Sequence, residues 1–195
     1  MIEFAITNHN VPGQLYVFPN LYVPYQQRYA EIDVLLLHER GIFVFESKNY
    51  SGWIFGNETD LQWTQTFQNG EKYRFYNPIR QNQTHIKALS AFLSLPVTCF
   101  FSCIVFSDRC SLQSIPFSSE FVVLQQTDIL NWLRYYLEHH PIIYTYQQLT
   151  EWANLLSPIA NVSPMEQVDH INQITNRFTS QFCPFCGAPL ILRQG

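Results

Sequence analysis

Positive charge is scarce in this sequence. Its 195 residues include 11 Lys and Arg against 15 Asp and Glu, which gives a formal net charge of −4. Proteins that hold a nucleic-acid backbone through many phosphates usually have a basic surplus. A nucleic-acid ligand would therefore have to be held by local positive charge and by bound cations.

Long apolar runs are also missing. No stretch reaches the roughly 18 apolar residues that cross a bilayer. The first residues, Met1 to Phe4, have neither the basic region nor the long apolar region of a signal peptide. The five cysteines are an odd number, which favours reduced thiols. We therefore expect a cytoplasmic protein with no membrane partner.

Hydrophobic residues make up 47% of the chain and charged residues 13%, which is typical of an ordered globular protein. Apolar patterning and turn residues predict helices at 78–95, 127–139 and 146–156, the second capped by Thr127-Asp128. They predict strands at 14–23 (broken at Pro19-Asn20), 31–37, 42–47, 61–67, 72–75, 98–106 and 121–124. This order indicates an α/β fold with a mixed central sheet flanked by helices.

The chain divides into three parts by composition. Residues 1–157 form the predicted main domain, residues 158–182 a polar and helical linker, and residues 183–195 a short segment that begins with a cysteine pair.

Two acidic residues and a lysine occur on the adjacent apolar strands of a predicted hairpin. Asp33 lies inside the first strand, and Glu46, Ser47 and Lys48 end the second. Side chains alternate along a strand, so Glu46 and Lys48 point to the same side. The carboxylates could bind Mg²⁺ or Mn²⁺ while the lysine orients water or neutralises developing charge.

The alternative interpretation of these residues is a solvated strand end with a weak surface ion pair. A buried, unpaired carboxylate is costly, and a metal would explain why Asp33 stands in a central strand. This favours the catalytic interpretation.

Gln81 and His85 follow in the next helix, one turn apart and near its sheet-facing side. For Gln81, a role at the site and a capping role remain equally open from spacing. For His85, we favour a core histidine with satisfied hydrogen bonds.

Motifs from Leu15 to about Leu93 resemble those of the NERD (nuclease-related) domain, a branch of the PD-(D/E)xK superfamily with a restriction-endonuclease-like fold. The motifs are 20–24 (NLYVP), 31–33 (EID), 41–52 (GIFVFESKNYSG) and 77–82 (NPIRQN). The resemblance implies that Asp33, Glu46 and the backbone carbonyl of Ser47 bind metal. It also implies that Lys48 is the catalytic lysine and Gln81 an accessory polar residue.

The resemblance further implies a metal-dependent nuclease acting on DNA, with RNA also open as a substrate. NERD domains usually carry a Gly-Glu pair in an N-terminal helix, and only Glu3 could correspond here. The competing hypothesis is therefore a catalytically inactive fold that binds nucleic acid or protein.

Cys183 and Cys186 form a CxxC pair followed by Gly187. The segment resembles the first half of a topoisomerase-type C4 zinc ribbon, but tetrahedral Zn²⁺ needs four ligands. The ribbon could be truncated, completed by a partner chain or vestigial, and we favour an unmetallated pair. Three further cysteines, Cys99, Cys103 and Cys110, are predicted to be packed thiols.

Aromatic and basic residues cluster after the proposed site. The aromatic residues could stack on unpaired bases or pack in the core; they are Tyr50, Trp53, Trp63, Tyr73 and Tyr76. The basic residues supply the local positive charge that a phosphate ligand needs; they are Lys48, Lys72, Arg74, Arg80 and Lys87.

Overall fold

A computed structural model describes residues 2–8, 11–113, 115, 118 and 120–160. Up to residue 76, the elements in chain order are α1 (Ile2–Asn8), β1 (Leu15–Tyr25), β2 (Arg28–His38), β3 (Gly41–Lys48), β4 (Gly52–Phe55), β5 (Gln62–Thr66) and β6 (Lys72–Tyr76). From residue 78 onwards they are α2 (Pro78–Leu93), β7 (Phe100–Phe106), β8 (Cys110–Gln113), β9 (Phe121–Gln125), α3 (Ile129–His139) and α4 (Tyr146–Ala160).

The main sheet has five strands in the order β1-β2-β3-β7-β9. β1, β2 and β3 are antiparallel neighbours, and β7 and β9 run parallel to β3. The second half of β2 (34–37) and most of β3 (42–45) are continuously apolar because helices cover both faces of this sheet. The prediction of a mixed sheet flanked by helices is confirmed.

The two faces of the main sheet pack against different helices. α2 and α4 cover one face, where Leu89 and Leu149 pack with Leu35 of β2. α1 and α3 cover the other face, where Ile6 and Leu133 are buried.

A second sheet of four strands, in the order β6-β5-β4-β8, lies beside the first. Its inner face buries Ile54 and Trp63 against Ile104 and Phe106 of β7. Neither β4 nor β8 is among the strands predicted from the sequence. Both strands have only four residues, which is too short for alternation to be recognised.

Three local predictions were wrong. β1 continues through Pro19 and Asn20, because Pro19 lies on an edge strand where a missing N–H is tolerated. The strand predicted from 98 begins at Phe100, after a 3-10 turn. Asp128 makes no side-chain cap to α3, and Thr127 lies in a 3-10 turn instead.

The C-terminal predictions fall partly outside the described residues. α4 continues through Pro158 to Ala160, beyond the helix end predicted at 156. The rest of the linker, up to residue 182, and the segment 183–195 with Cys183 and Cys186 lie outside the described ranges. Within those ranges, no helix combines the length and apolarity needed to cross a bilayer.

Candidate active site

β2 is irregular at Asp33. Ile32 and Leu35 are three residues apart, yet both pack into the core beneath α2 and α4, which a regular two-residue alternation would prevent. Opposite Asp33 on β1 lies Asn20, which has a left-handed backbone with φ of 51°. The irregularity lets Asp33 project beside the end of β3.

The backbone ladder between β2 and β3 extends to the pair Val34 and Phe45. Just beyond it, Oδ2 of Asp33 accepts a hydrogen bond of 2.6 Å from the backbone N–H of Ser47. A side-chain carboxylate therefore connects the two strands where their ladder stops. This contact places Asp33 against the segment Glu46 to Lys48, as the hairpin interpretation predicted.

Glu46 and Lys48 lie on the same side of β3 and form an ion pair. Nζ of Lys48 is 2.6 Å from Oε1 of Glu46. Glu46 is only 3% exposed, whereas Ser47 between them is exposed. The buried position of Glu46 differs from a solvated strand end, where such a pair would contribute little.

α2 adds two polar side chains to this group. Nζ of Lys48 also donates to Oε1 of Gln81, at 3.0 Å. One turn later, Nδ1 of His85 lies 3.2 Å from Oε2 of Glu46. The structure thus brings Asp33, Glu46, Lys48 and Gln81 together, and it adds His85.

His85 was favoured above as a core histidine with satisfied hydrogen bonds, and this was wrong. It is buried, but its ring faces Glu46, and neither Nδ1 nor Oε2 of Glu46 completes a well-aligned hydrogen bond. Its spacing of four residues from Gln81 was the available signal, because that spacing places both side chains on one face of a helix.

Two buried asparagines fix α2 against the sheets. Nδ2 of Asn82 donates to the carbonyl of Val44 and to Oγ of Ser102, each at 2.8 Å. Oδ1 of Asn77 caps α2 by accepting from the N–H of Ile79 at 2.9 Å. The sequence analysis gave Asn82 no structural role, since only the tertiary contacts identify its partners.

The pKa values of the two carboxyl groups are shifted in opposite directions. Burial, and then repulsion by Glu46, raises the pKa of Asp33, although the Ser47 N–H partly opposes this. Burial alone would raise the pKa of Glu46, but His85 and Lys48 outweigh it, so that pKa lies below its usual value. Asp33 therefore takes up a proton more readily than an ordinary aspartate, and Glu46 less readily than an ordinary glutamate.

The donor set can be compared with the needs of a divalent cation. Oε2 of Glu46 is a buried carboxylate oxygen without a hydrogen bond, and Mg²⁺ prefers such hard oxygen ligands. In the part of the chain that the structure describes, no group of three or more His, Cys, Asp or Glu side chains is placed so that it could hold one metal ion. A cation would therefore depend on Asp33, Glu46 and backbone oxygen, all of which are hard oxygen donors.

The remaining predicted positions lie elsewhere. Glu3 is exposed on α1, which packs on the sheet face opposite to α2. Cys103 and Cys110 are buried free thiols, as predicted, and Cys99 is half-buried.

Comparison with known proteins adds independent information. The family model described as the nuclease-related domain, NERD, matches residues 3–107. An uncharacterized protein of Bacillus anthracis is 32% identical over 178 residues, a match covering 87% of this chain and 79% of the relative. No solved structure matches this chain.

Proposed function

This chain belongs to the nuclease-related domain family, and we propose that it is a divalent-metal-dependent phosphodiesterase that hydrolyses DNA. The observation that carries the proposal is the convergence of two carboxylates, a lysine and a glutamine at one end of β2 and β3. Asp33 and Glu46 are brought together there despite their mutual repulsion. Such an arrangement costs stability, which is typical of functional sites.

Asp33, Glu46 and the backbone carbonyl of Ser47 would hold Mg²⁺ or Mn²⁺. Oε2 of Glu46 supports this assignment, because it is buried, faces Nδ1 of His85 at 3.2 Å without a well-aligned hydrogen bond, and has room in its coordination for a cation. When bound, the cation would polarise a phosphoryl oxygen and lower the pKa of a water molecule.

Lys48 is held in place for contact with substrate. Its ammonium group donates to Glu46 and Gln81, and a lysine has one more N–H to offer. The side chain is 17% exposed, so this donor can reach a phosphoryl oxygen from outside. There it would stabilise the negative charge that develops during phosphodiester cleavage.

Gln81 would act through Lys48. Its Oε1 accepts from Nζ, which fixes the direction of the ammonium group. His85 would similarly restrain Glu46 from the buried side. We assign both as positioning residues.

The proposal is tested by incubating the full chain with single-stranded DNA, duplex DNA and RNA in Mg²⁺, Mn²⁺ or EDTA. We expect cleavage of DNA that requires a divalent cation. Asp33→Asn, Glu46→Gln and Lys48→Ala should each lower the rate by about a hundredfold or more, since each removes a preorganised charged group. Gel analysis of labelled strands measures the rates.

Matched controls change residues of the same charge that lie outside the proposed site. Glu31→Gln changes an exposed carboxylate on β2, two residues from Asp33, and Arg134→Ala changes an exposed cation on α3. Both variants should keep full activity. Equal activity of Lys48→Ala and Arg134→Ala would refute the assignment.

A second function is favoured by two observations. Within the described ranges, the site lacks a group of three metal-binding side chains, and Lys48 already neutralises Glu46. A catalytically inactive module that binds nucleic acid or protein would have such a site. Calorimetric titration with Mn²⁺ separates the two: binding that is lost in Glu46→Gln supports the enzyme, and absence of binding supports the module.

A further inference from the structure

The four-stranded sheet has an outer face that no helix or strand of the described residues covers. Its inner face is buried, with Ile54 and Trp63 both 0% exposed. The outer face, as defined here, consists of alternating residues of four strands that are exposed or half-buried: Trp53, Phe55, Thr64, Thr66, Lys72, Arg74, Ser111 and Gln113.

The strand register arranges the outer face in two parallel rows. One row runs Lys72, Thr66, Trp53, Ser111. The next runs Arg74, Thr64, Phe55, Gln113. Each row therefore has a cation on the edge strand β6 and an aromatic ring on β4, with a threonine between them.

The outer face is locally positive although the chain is acidic overall. Lys72 and Arg74 are exposed, and none of the outer-face positions is acidic. The nearest acid in sequence, Glu71, accepts instead from the hydroxyl of Tyr73, which alternates to the other side of β6. The electrostatics of this face thus favour an anion such as a phosphate chain.

Only some of the aromatic residues considered in the sequence analysis are available for a ligand. Trp53 is 38% exposed and Phe55 is 44% exposed. In contrast, Trp63 is buried, and Tyr50 stacks on Phe75 with ring centroids 4.4 Å apart. The exposed rings lie on one strand at alternate positions, which presents both to the same side.

The outer face adjoins a hollow that contacts the segment after Lys48. This hollow of about 680 Å³ is lined by Trp53 and Ser111 of the outer face and by Asp108 and Arg109, and Asp108 accepts a hydrogen bond from the backbone N–H of Thr127. The guanidinium of Arg109 donates to Oδ1 of Asn49, at 2.6 Å, and Asn49 directly follows Lys48. Arg109 therefore connects the hollow beside the outer face to the strand end that carries Lys48.

We propose that the outer face binds a single nucleic-acid strand and leads it to the active site. Bases would stack on Trp53 and Phe55, while Lys72, Arg74 and Arg109 contact phosphates. Aromatic side chains stack on unpaired bases, whereas the bases of a duplex already stack on each other. This inference rests on the proposed function for its ligand class, and it adds that the substrate carries an unpaired segment.

Binding is measured without catalysis, so that the two proposals can fail separately. Fluorescence anisotropy of the full chain in EDTA is recorded with labelled oligothymidylate, an RNA strand and a DNA duplex of equal length. We expect the single strands to bind at least tenfold more tightly than the duplex. The relative affinity for DNA and RNA identifies the natural strand.

Two double variants test the two kinds of contact. Trp53→Ala with Phe55→Ala should weaken binding by tenfold or more, because each stacked base contributes substantially. Lys72→Gln with Arg74→Gln should weaken binding and reduce the dependence of log K on log salt by about 1.4, the value for two phosphate contacts to a single strand.

The controls are residues of the same type on other surfaces. Tyr135→Ala removes an aromatic ring on α3 that is 63% exposed, and Arg134→Gln removes an exposed charge on the same helix. Both should bind like the unmodified chain. Circular dichroism confirms that every variant is folded.

The outcomes distinguish failure of the strand-binding inference from failure of the catalytic proposal. Equal affinity for duplex and single strand, no single-strand binding, or unchanged binding by both double variants overturns the inference, even if DNA is hydrolysed. If no DNA is hydrolysed with any metal but single-strand binding still depends on Trp53 and Phe55, the inference stands and the catalytic proposal fails.

Discussion

At the scale of single residues, His38 is a buried histidine whose protonation state is fixed by its partners. Its Nδ1 accepts from the backbone N–H of Arg40 at 3.0 Å, so the proton is on Nε2, which donates to the carbonyl of Pro12 at 2.8 Å. Burial lowers its pKa, although the Pro12 hydrogen bond opposes this. The neutral ring is therefore the form that the fold requires.

The fold should lose stability when the pH falls below about 6.5, the ordinary pKa of histidine. Below that value the unfolded chain takes up a proton that folded His38 resists, so the unfolded state binds more protons and is favoured. This residue should contribute a slope of no more than about 1.4 kcal/mol per pH unit. Urea unfolding between pH 7.5 and pH 5 measures the slope.

His38→Gln should flatten that slope, because glutamine cannot be protonated in this range. The matched control is His139→Gln, which changes an exposed histidine at the end of α3. An unchanged slope in His38→Gln, or an equal change in His139→Gln, would contradict the assignment.

At the scale of elements, the position of α2 decides whether Gln81 and His85 reach the site. Asn77 precedes this helix and is fully buried. Besides capping the helix, its Nδ2 lies within hydrogen-bonding distance of three backbone carbonyls, those of Asn57, Glu58 and Asp60, which share its two N–H donors. One side chain thus joins the start of α2 to the loop between β4 and β5.

Asn77→Ala should lower the free energy of unfolding by about 2–3 kcal/mol, because it removes both the helix cap and the donors to three backbone carbonyls. Asn77→Asp should be at least as destabilising. Aspartate is as good a cap as asparagine, but it cannot donate, and it places a carboxylate beside three carbonyls. Urea unfolding followed by circular dichroism measures both variants.

Asn154 provides the comparison for Asn77, because it is exposed on α4. Its substitution by Ala or Asp should change stability by less than about 0.5 kcal/mol. If Asn77→Asp were as stable as the unmodified chain, the helix cap alone would explain the contribution of Asn77 to stability, and its contacts to the loop would contribute nothing.

At the scale of the whole molecule, the main sheet is covered on both sides, so neighbouring residues of β2 belong to different cores. Leu35 packs with α2 and α4, and Leu36 packs with α1 and α3. Both are 0% exposed. Leu35→Ala and Leu36→Ala should each cost about 2–5 kcal/mol, the usual cost of truncating a buried leucine.

Denaturant unfolding of both variants checks this expectation. Leu155→Ala is the control, because Leu155 is 53% exposed on α4 and should contribute less than about 0.5 kcal/mol. If only one of the two β2 variants were destabilised, one face of the sheet would be more weakly packed than the structure indicates.

Much of the main sheet could be predicted from local pattern. The apolar runs of β2 and β3, joined at Gly41, indicated a hairpin, and alternation placed Glu46 and Lys48 on one side. The ordered NERD motifs located Asp33 and Gln81 as well. The hairpin depends on residues that are close in sequence, so the sequence alone determines it, whereas Asp33 and Gln81 are far apart in the chain and were linked only through the resemblance.

Other features depend on contacts between distant segments, and only the tertiary structure decided them. The pairing of β4 with β8 joins segments far apart in the chain and creates the outer face with Trp53 and Phe55. The approach of His85 to Glu46 depends on the packing of α2, which Asn82 fixes through Val44 and Ser102. Short strands and buried polar contacts have weak local signals, because their free energy comes from partners that the sequence does not identify.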